Sequence, residues 1–373
     1  MSGAVGIDLG TTFSAIAIVN KYGDAEILTN VEGDRITPSV ILFEGSDVIV
    51  GNYAKQAAVV YPEQVVEFVK RELGDSEYHF SYRGKQYNPE ELSSFVLQKL
   101  KHDAELRLGH PVEHAVITVP AYFNDHERRA TIRAGEKAGF NVLQLLNEPT
   151  AAAFAYGLAN VGKDQRVLVY DLGGGTFDVT MVDIEGKDIN VIATAGDHRL
   201  GGKDFDDVLI EHVAQAFLDK HGVDPRDDLQ SFHDLRQKCV SAKISLTRRP
   251  KVNIFHDYDG KVLRLAVTRE LFEGLTSHLM AKCEALTLDV LKESKAEASS
   301  VDTVLLAGGS TRMPMVRTQL ARLFDQAPST DVNPDEAVAK GAAVVAAIEF
   351  ARLSGQESPV DIRTHDVTSH SLG

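Results

Sequence analysis

The sequence of 373 residues lacks the features that mark several protein classes. It has only two cysteines, Cys239 and Cys283, too few for a disulfide framework or a cysteine metal cluster. Both are expected to serve as small apolar residues in a reducing compartment. Long hydrophobic runs are missing: the longest, Ala342 to Ile348, falls far short of the ~18 residues that cross a bilayer. Met1 to Val5 has neither the basic start nor the apolar core of a secretory signal, so a cytoplasmic protein is expected. Basic excess is missing too. A net charge of −15 opposes broad electrostatic binding to nucleic acid or to anionic membranes. It does not oppose binding one nucleotide, because a single pocket can invert the local field with backbone amides, a lysine and a metal ion. Finally, G-x-x-x-x-G-K-[ST] is absent, and so is G-x-G-x-x-G after a strand, which excludes P-loop enzymes and Rossmann dehydrogenases.

What remains is a chain with 43% apolar and 25% charged residues, able to bury a sizeable core in two or three packing units. Its main feature is an internal duplication. The strand Val5-Gly6-Ile7 enters the turn Asp8-Leu9-Gly10-Thr11-Thr12, followed by strands Phe13 to Val19 and Ala25 to Thr29. Val167 to Tyr170 enters Asp171-Leu172-Gly173-Gly174-Gly175-Thr176, followed by strands Phe177 to Ile184 and Asn190 to Thr194. A second element also occurs twice. Ala115 to Val119 is an apolar strand ended by Pro120, with a helix capped by Asn124 and running toward Lys137. Val304 to Ala307 is a similar strand, ended by Gly308-Gly309-Ser310 and followed by a helix from Pro314 to Leu323. Two α/β lobes of similar design are implied, with a ligand cleft between them. Between the repeats, Glu90 to Leu108 has apolar residues at Leu92, Phe95, Val96, Leu100 and Leu106 and reads as an amphipathic helix. Asp206 to Lys220, Leu271 to Lys292 and a buried Ala337 to Leu353 also read as helices, and Val262 to Val267 as a strand. Ser354 to Gly373 is polar and reads as a linker or tail.

The turns carry the chemistry. Glycine lets backbone amides approach a phosphate, threonine hydroxyls add donors, and the leading aspartate can hold a metal ion through its water shell. One such turn is an ordinary hairpin feature. Two at matching points of a duplication would face each other and clamp a polyphosphate, with a divalent cation between Asp8 and Asp171. In Gly308-Gly309-Ser310-Thr311-Arg312, the glycines would let a base and sugar lie on the backbone, with Arg312 stacking on the base. His110-Pro111-Val112-Glu113-His114 matches the zinc-peptidase pattern H-x-x-E-H, but Gly109 and Pro111 break the helix that pattern needs, so a surface turn is expected.

Seven blocks, in order from residue 3 to about 350, resemble the 70-kilodalton heat-shock (DnaK-type) chaperones. They are Gly6 to Thr12, Val119 to Asp125, Asn147 to Ala153, Asp171 to Asp178, Gly201 to Asp206, Gly308 to Arg312 and Asn333 to Ala337. The resemblance implies an α/β, two-lobed, actin-like ATPase fold, a duplicated ribonuclease-H-like design with a central cleft. Residues 1–161 would form lobe I and 162–353 lobe II, with the final helix packing back toward lobe I. Residues 354–373 would be an interdomain linker or tail. It also implies ATP or ADP, Mg2+ and K+ as ligands. Lys70, Glu148, Asp171 and Thr176 would be catalytic, with Asp8 and Asp171 around magnesium and Asp178 with Asp8 around potassium. Gly10, Thr11, Thr12, Phe13, Gly173, Gly174, Gly175, Gly201 and Gly202 would bind the nucleotide. So would Lys243, Thr247, Gly308, Gly309, Ser310, Arg312 and Asp335 at the nucleoside end. Pro120 and Arg128 would couple the site to a second domain. Unfolded client proteins would bind through a following peptide-binding domain, and the implied partners are a J-domain co-chaperone and a nucleotide-exchange factor.

The chain departs from the family at several places. The segment from Lys70 to Val116 is short, which should shrink the upper part of lobe I. Val240 replaces a glutamate that contacts the nucleoside, a loss expected to weaken binding by about 1.5–3 kcal/mol if uncompensated. Ile244 replaces an arginine of some members, and Lys203 stands where an acid is common, at the contact between lobes. Gln144 replaces an arginine that helps dock J-domains. Ile362-Arg363-Thr364-His365, before Asp366-Val367-Thr368, is more polar than the family's apolar linker, so docking by hydrophobic burial should be weaker. A non-hydrolysing nucleotide sensor and a sugar-kinase relative are the alternatives. The first is separated by ADP formation, the second by phosphate transfer to a hexose or glycerol.

Overall fold

Each Asp-Leu-Gly segment closes a hairpin in a sheet of its own. The computed structural model describes residues 3–160, 163–358, 360 and 363–365. In the first sheet, β1 (Ala4–Asp8) pairs antiparallel with β2 (Phe13–Val19), which pairs with β3 (Ala25–Ile27). On the other side of β1 lie β4 (His114–Val119) and β5 (Asn141–Asn147), both parallel. The second sheet repeats this plan. Here β6 (Gln165–Leu172) pairs antiparallel with β7 (Phe177–Glu185), then β8 (Asp188–Asp197) follows, and β9 (Thr303–Ala307) joins β6 in parallel. The duplication read in the sequence is therefore a duplication of sheet topology.

The continuous apolar runs of β1, β4, β6 and β9 fit strands covered on both faces. Helices supply the cover. They are α1 (Pro89–Leu108), α2 (Asp125–Lys137), α3 (Glu148–Ala159), α4 (Gly202–His221), α5 (Leu229–Leu246) and α6 (Ala337–Ser354). Asn88 and Asn124 each close a capping box, with Glu91 and Glu127 respectively, which fixes where α1 and α2 start. One apolar core fills the first half and another the second. A third, built from α3, α6 and strands of both sheets, joins them. In α6 the small side chains Ala339, Ala342, Ala343 and Ala346 are buried with Val338, Val344 and Val345, so the helix packs tightly against β1 and α3.

Several elements differ from expectation. The strand after the Gly23-Asp24 turn stops at Ile27 instead of Thr29. The single helix expected over Leu271 to Lys292 is two, Arg269–Leu275 and Ser277–Glu293. Gly274 weakens the first, and Thr276, at φ −98° and ψ 7°, separates them. Leu106 points to solvent, while Leu97 and Ala104 complete the buried face of α1. Helix α4 begins at Gly202, four residues before its expected start. The expected strand Val262 to Val267 lies within Lys261–Thr268, and its hairpin partner Lys251–Tyr258 was not foreseen. The tail is not wholly irregular, because β10 (Arg363–His365) adds in parallel to Asp188–Asn190 of β8. Backbone pairing needs no apolar side chains, which is why the polar composition hid it. Ile362 and Asp366-Val367-Thr368 lie outside the described residues. No helix among the described residues is long and apolar enough to cross a membrane.

Candidate functional site

Three buried carboxylates, the half-buried Asp8 and one buried ammonium meet where the two hairpins approach each other. Asp8 ends β1, while Asp171 and Asp178 lie directly opposite one another on β6 and β7. Lys70 sits on the short 3-10 turn Val69–Glu72, and its Nζ donates to Oε1 of Glu148, the first residue of α3. Both side chains of this ion pair are buried, and the helix N-terminus favours the carboxylate end. Burial pushes the Asp8 carboxyl up to about 7, with the Glu148 charge adding to the effect. Burial and Glu148 likewise push Asp178 up to about 8 and hold Asp171 well above the carboxylate range. Burial works against the charged form of Lys70, but Glu148 and Asp8 outweigh it, so the group stays an ammonium at neutral pH. The amides of Ala121 and Tyr122 face Asp178 without closing a full hydrogen bond to either oxygen. Thr118 donates to Asp8 at 3.4 Å.

The turns themselves are held by short polar contacts. The Gly10 amide donates to Ser14 Oγ at 3.1 Å, and Ser39 Oγ donates to the Gly10 carbonyl at 2.8 Å. In the second turn the Gly173 amide bonds Thr176 O at 3.0 Å. Gly173 O accepts from the Gly202 amide at 2.9 Å and from Ser310 Oγ at 2.8 Å. The turns touch: a Cβ on Gly174 would lie 2.2 Å from Thr12 Oγ1, and one on Gly175 2.3 Å from Thr11 Oγ1. Only glycine permits this approach, and it places Thr11, Thr12, Gly173 to Gly175 and Thr176 around one point. Gly201 lies against the Gly175 backbone and donates to Asp204 at 2.7 Å. Phe13 is partly exposed beside the first turn, with Lys55 Nζ 4.6 Å from its ring centroid.

At the other end of the second turn, Lys243 bonds the Gly202 carbonyl at 2.9 Å and Asp206 at 2.8 Å. Thr247 follows α5, its Oγ1 donating to Ile244 O at 2.7 Å. Gly308 donates to Pro334 O at 3.0 Å, and Gly309–Arg312 forms a 3-10 turn. Arg312, half exposed, donates through one nitrogen to Asp335 at 2.6 Å and to Asn333 at 2.9 Å. Ile244 is exposed and Val240 half-buried on the same helix. Pro120 is buried at the end of β4, and Arg128 donates to Phe123 O, Ala121 O and Asn147 Oδ1 at 2.9, 3.2 and 2.6 Å. Gln144 is half-buried on β5.

Two side chains of this region were not foreseen as site residues. Arg71 donates to Gly175 O through two nitrogens, at 2.9 and 2.7 Å, and pairs with Asp204. Asp206 pairs with Lys243. Their signals were adjacency to Lys70 and position one helical turn after Gly202. His110 is exposed beyond α1 and His114 opens β4, so the H-x-x-E-H residues sit on no common helix. Among the described residues, no three His, Cys, Asp or Glu side chains converge closely enough to hold a bare metal ion.

Comparison with known proteins matches the sequence to one family. The model of the Hsp70 protein family matches residues 4–80 and 74–373. A chaperone protein DnaK of Thermotoga neapolitana is 46% identical over 99% of this chain and 63% of its own length. That of Halobacterium salinarum is 46% identical over 99% of this chain and 58% of its own. That of Thermosipho melanesiensis is 44% identical, again over 99% and 63%. The chain thus spans less than two thirds of the length of these relatives. The chain belongs to the Hsp70 family and has its mixed α/β, actin-like fold.

Proposed function

We propose that this chain binds ATP between its two glycine turns and hydrolyses it, as the nucleotide-driven part of a molecular chaperone. The observation that carries the reading is the buried Lys70–Glu148 pair set among Asp8, Asp171 and Asp178 where the turns meet. Residues 1–161 and 162–353 are assigned as the two lobes, and 354–373 as the connection to a peptide-binding domain. Family membership does not favour the sensor or sugar-kinase readings.

The donor set fits the ligands. The amides of Gly174 and Gly175 and the hydroxyls of Thr11, Thr12 and Thr176 offer hydrogen-bond donors to phosphate oxygens, while the amides of Gly10 and Gly173 brace the turns themselves. Lys70 offers a cation that stays charged at neutral pH. Carboxylate oxygens suit Mg2+, which keeps most of its waters and so needs few direct ligands. Asp8 and Asp171 would hold that hydrated ion, and Asp8 with Asp178 a K+. Magnesium, when bound, would neutralise the polyphosphate and polarise its terminal group. Asp171, opposite Asp178 at the second turn, would accept a proton from an attacking water once a bound cation keeps its carboxylate ionised. Glu148 anchors Lys70 beside that water. Phe13, Gly201 and Gly202 would bind the nucleotide beside the turns, and Lys243, Thr247, Gly308, Gly309, Ser310, Arg312 and Asp335 would surround sugar and base. Pro120 and Arg128, bonded to the loop that faces Asp178, would pass the state of the site outward. Client proteins, a J-domain co-chaperone, a nucleotide-exchange factor and a cytoplasmic location complete the proposal.

Single-turnover cleavage of ATP with Mg2+ and K+ tests it. ADP should form, and Lys70→Ala should slow its formation by about 10²–10⁴-fold. A melting shift with ATP but no ADP would move the assignment to a sensor. The absence of both a melting shift and ADP would overturn it.

A further inference from the structure

We propose that Glu67 and Phe68 form a clasp across the cleft that keeps Lys70 aimed and sets how long a nucleotide stays bound. The inference deepens the nucleotide reading above and rests on it. Phe68 immediately precedes the 3-10 turn that carries Lys70 and Arg71. Its backbone has φ 61° and ψ 21°, the left-handed region that a bulky side chain enters only against a steric cost. Something must hold it there, and the second half of the chain supplies it. The Phe68 ring lies between two cations. Arg236 of α5 has its Cζ 5.4 Å from the ring centroid, and Lys203 of α4 has its Nζ at 5.6 Å. Glu67 forms an ion pair with the same Arg236, both side chains being largely buried. Asp207 pairs with Lys203 and keeps it in place.

Four of the five residues from Glu67 to Arg71 are thus held from both sides of the cleft. Glu67 and Phe68 are bound by α5 and α4, Lys70 by Glu148 of α3, and Arg71 by Asp204 and the Gly175 carbonyl. The lobes cannot separate around a nucleotide without pulling the Phe68 ring from its cations. Once the ring is out, the left-handed backbone that sets the direction of the Lys70 turn loses its support from the second half of the chain, leaving the Arg71 amide bond to the Phe68 carbonyl. Phe68 is accordingly a positioning residue acting through Lys70. Lys203 and Arg236 are its receivers.

The test is the release rate of a fluorescent ATP derivative, by competition with unlabelled ATP, in the full chain. Phe68→Leu keeps an apolar side chain but removes the aromatic face, and release should speed up about tenfold. Phe68→Tyr keeps the face and should release at the parent rate. Arg236→Ala should accelerate release, and adding Phe68→Leu to it should change little more, because both break the same contact. Equal rates in the Leu and Tyr variants, or independent effects of Phe68 and Arg236, would overturn the proposal. A second measurement needs no ligand. Hydrogen exchange of the amides of residues 67–73 in the free protein should be faster in Phe68→Leu than in Phe68→Tyr. If the parent binds no nucleotide, the binding reading fails, and this exchange difference alone judges the clasp.

Discussion

Lys70 and Glu148, 78 positions apart in the chain, form a fully buried ion pair between a 3-10 turn and the first residue of α3. The two partners are not equivalent. Lys70 also lies in the field of Asp8 and Asp171, so it offsets several carboxylates at once. Glu148 offsets only the one lysine. Removing one member of a buried pair typically costs about 3–5 kcal/mol, because the other charge is left uncompensated. Lys70→Ala should therefore destabilise the free protein more than Glu148→Ala, whose lysine keeps two carboxylate neighbours. Urea unfolding at pH 7 measures the order, and the reverse order would show that the acids are mutually relieved by other means.

The contact between α6 and α3 leaves no room for one methyl group. A Cβ on Gly341 would sit 1.6 Å from the Ala151 carbonyl oxygen and 2.4 Å from its carbon. The obstacle is helix backbone, which cannot rotate away as a side chain would. Gly341→Ala should cost at least about 3 kcal/mol, the upper part of the overpacking range. Arg352→Ala, at an exposed position of the same helix, should stay within about 0.5 kcal/mol of the parent. Denaturant midpoints of the two variants check the contrast.

Strand–turn–strand units were legible because apolar runs and glycine turns are local signals, and their repetition gave the sheet plan. Lys70 and Glu148 became candidates through a family resemblance, since a lysine's burial is not visible in its neighbours in sequence. The pairing of Arg71 with Asp204 was invisible for the same reason, the two being 133 positions apart. So was Glu67 with Arg236. Helix α5 escaped because its apolar face is narrow: Leu235, Cys239, Ala242 and Leu246 are buried with one serine amid mostly polar residues. The signal available was Asp228, which caps the Ser231 amide at 2.7 Å. Arg363–His365 was unreadable because its pairing with Asp188–Asn190 is made by backbone, which leaves no apolar pattern in the sequence.

Arg35 reaches Glu336, at the start of α6, through two bonds of 2.6 and 2.8 Å. The Arg35 hydrogen bonds, with help from Lys340, hold the Glu336 carboxyl down at about 2, against an ordinary 4.5. A depressed carboxyl contributes stability above its ordinary pKa and loses it as pH falls through the folded value. Arg35 is half exposed, so solvent screens the gain. Arg35→Ala should melt below the parent at pH 6, and the gap should close between pH 4.5 and 2. Thermal melts across that window read the effect. A gap that persists at pH 2 would assign it to packing and not to charge.

Asp178 is displaced in the opposite direction, and its prediction carries the opposite sign. Burial, with the Glu148 charge, raises its carboxyl to about 8, so the folded chain holds this proton where the unfolded chain has lost it. The associated stability is complete below the ordinary carboxylate pKa and is lost as pH rises through about 8. Asp178→Asn removes the titration while keeping the shape and one acceptor for the facing amides. The variant should match the parent near pH 4, gain on it steadily up to pH 8, and keep a constant advantage above that. A cation at the proposed Asp8–Asp178 position would compensate the ionised carboxylate. Added K+ should then raise the melting temperature of the parent at pH 9, do much less at pH 6, and leave Asp178→Asn nearly unmoved. An equal rise in both proteins would place the cation elsewhere. A stabilised variant with no cation response would show that this carboxylate is kept, at a cost in stability, for the ion it holds.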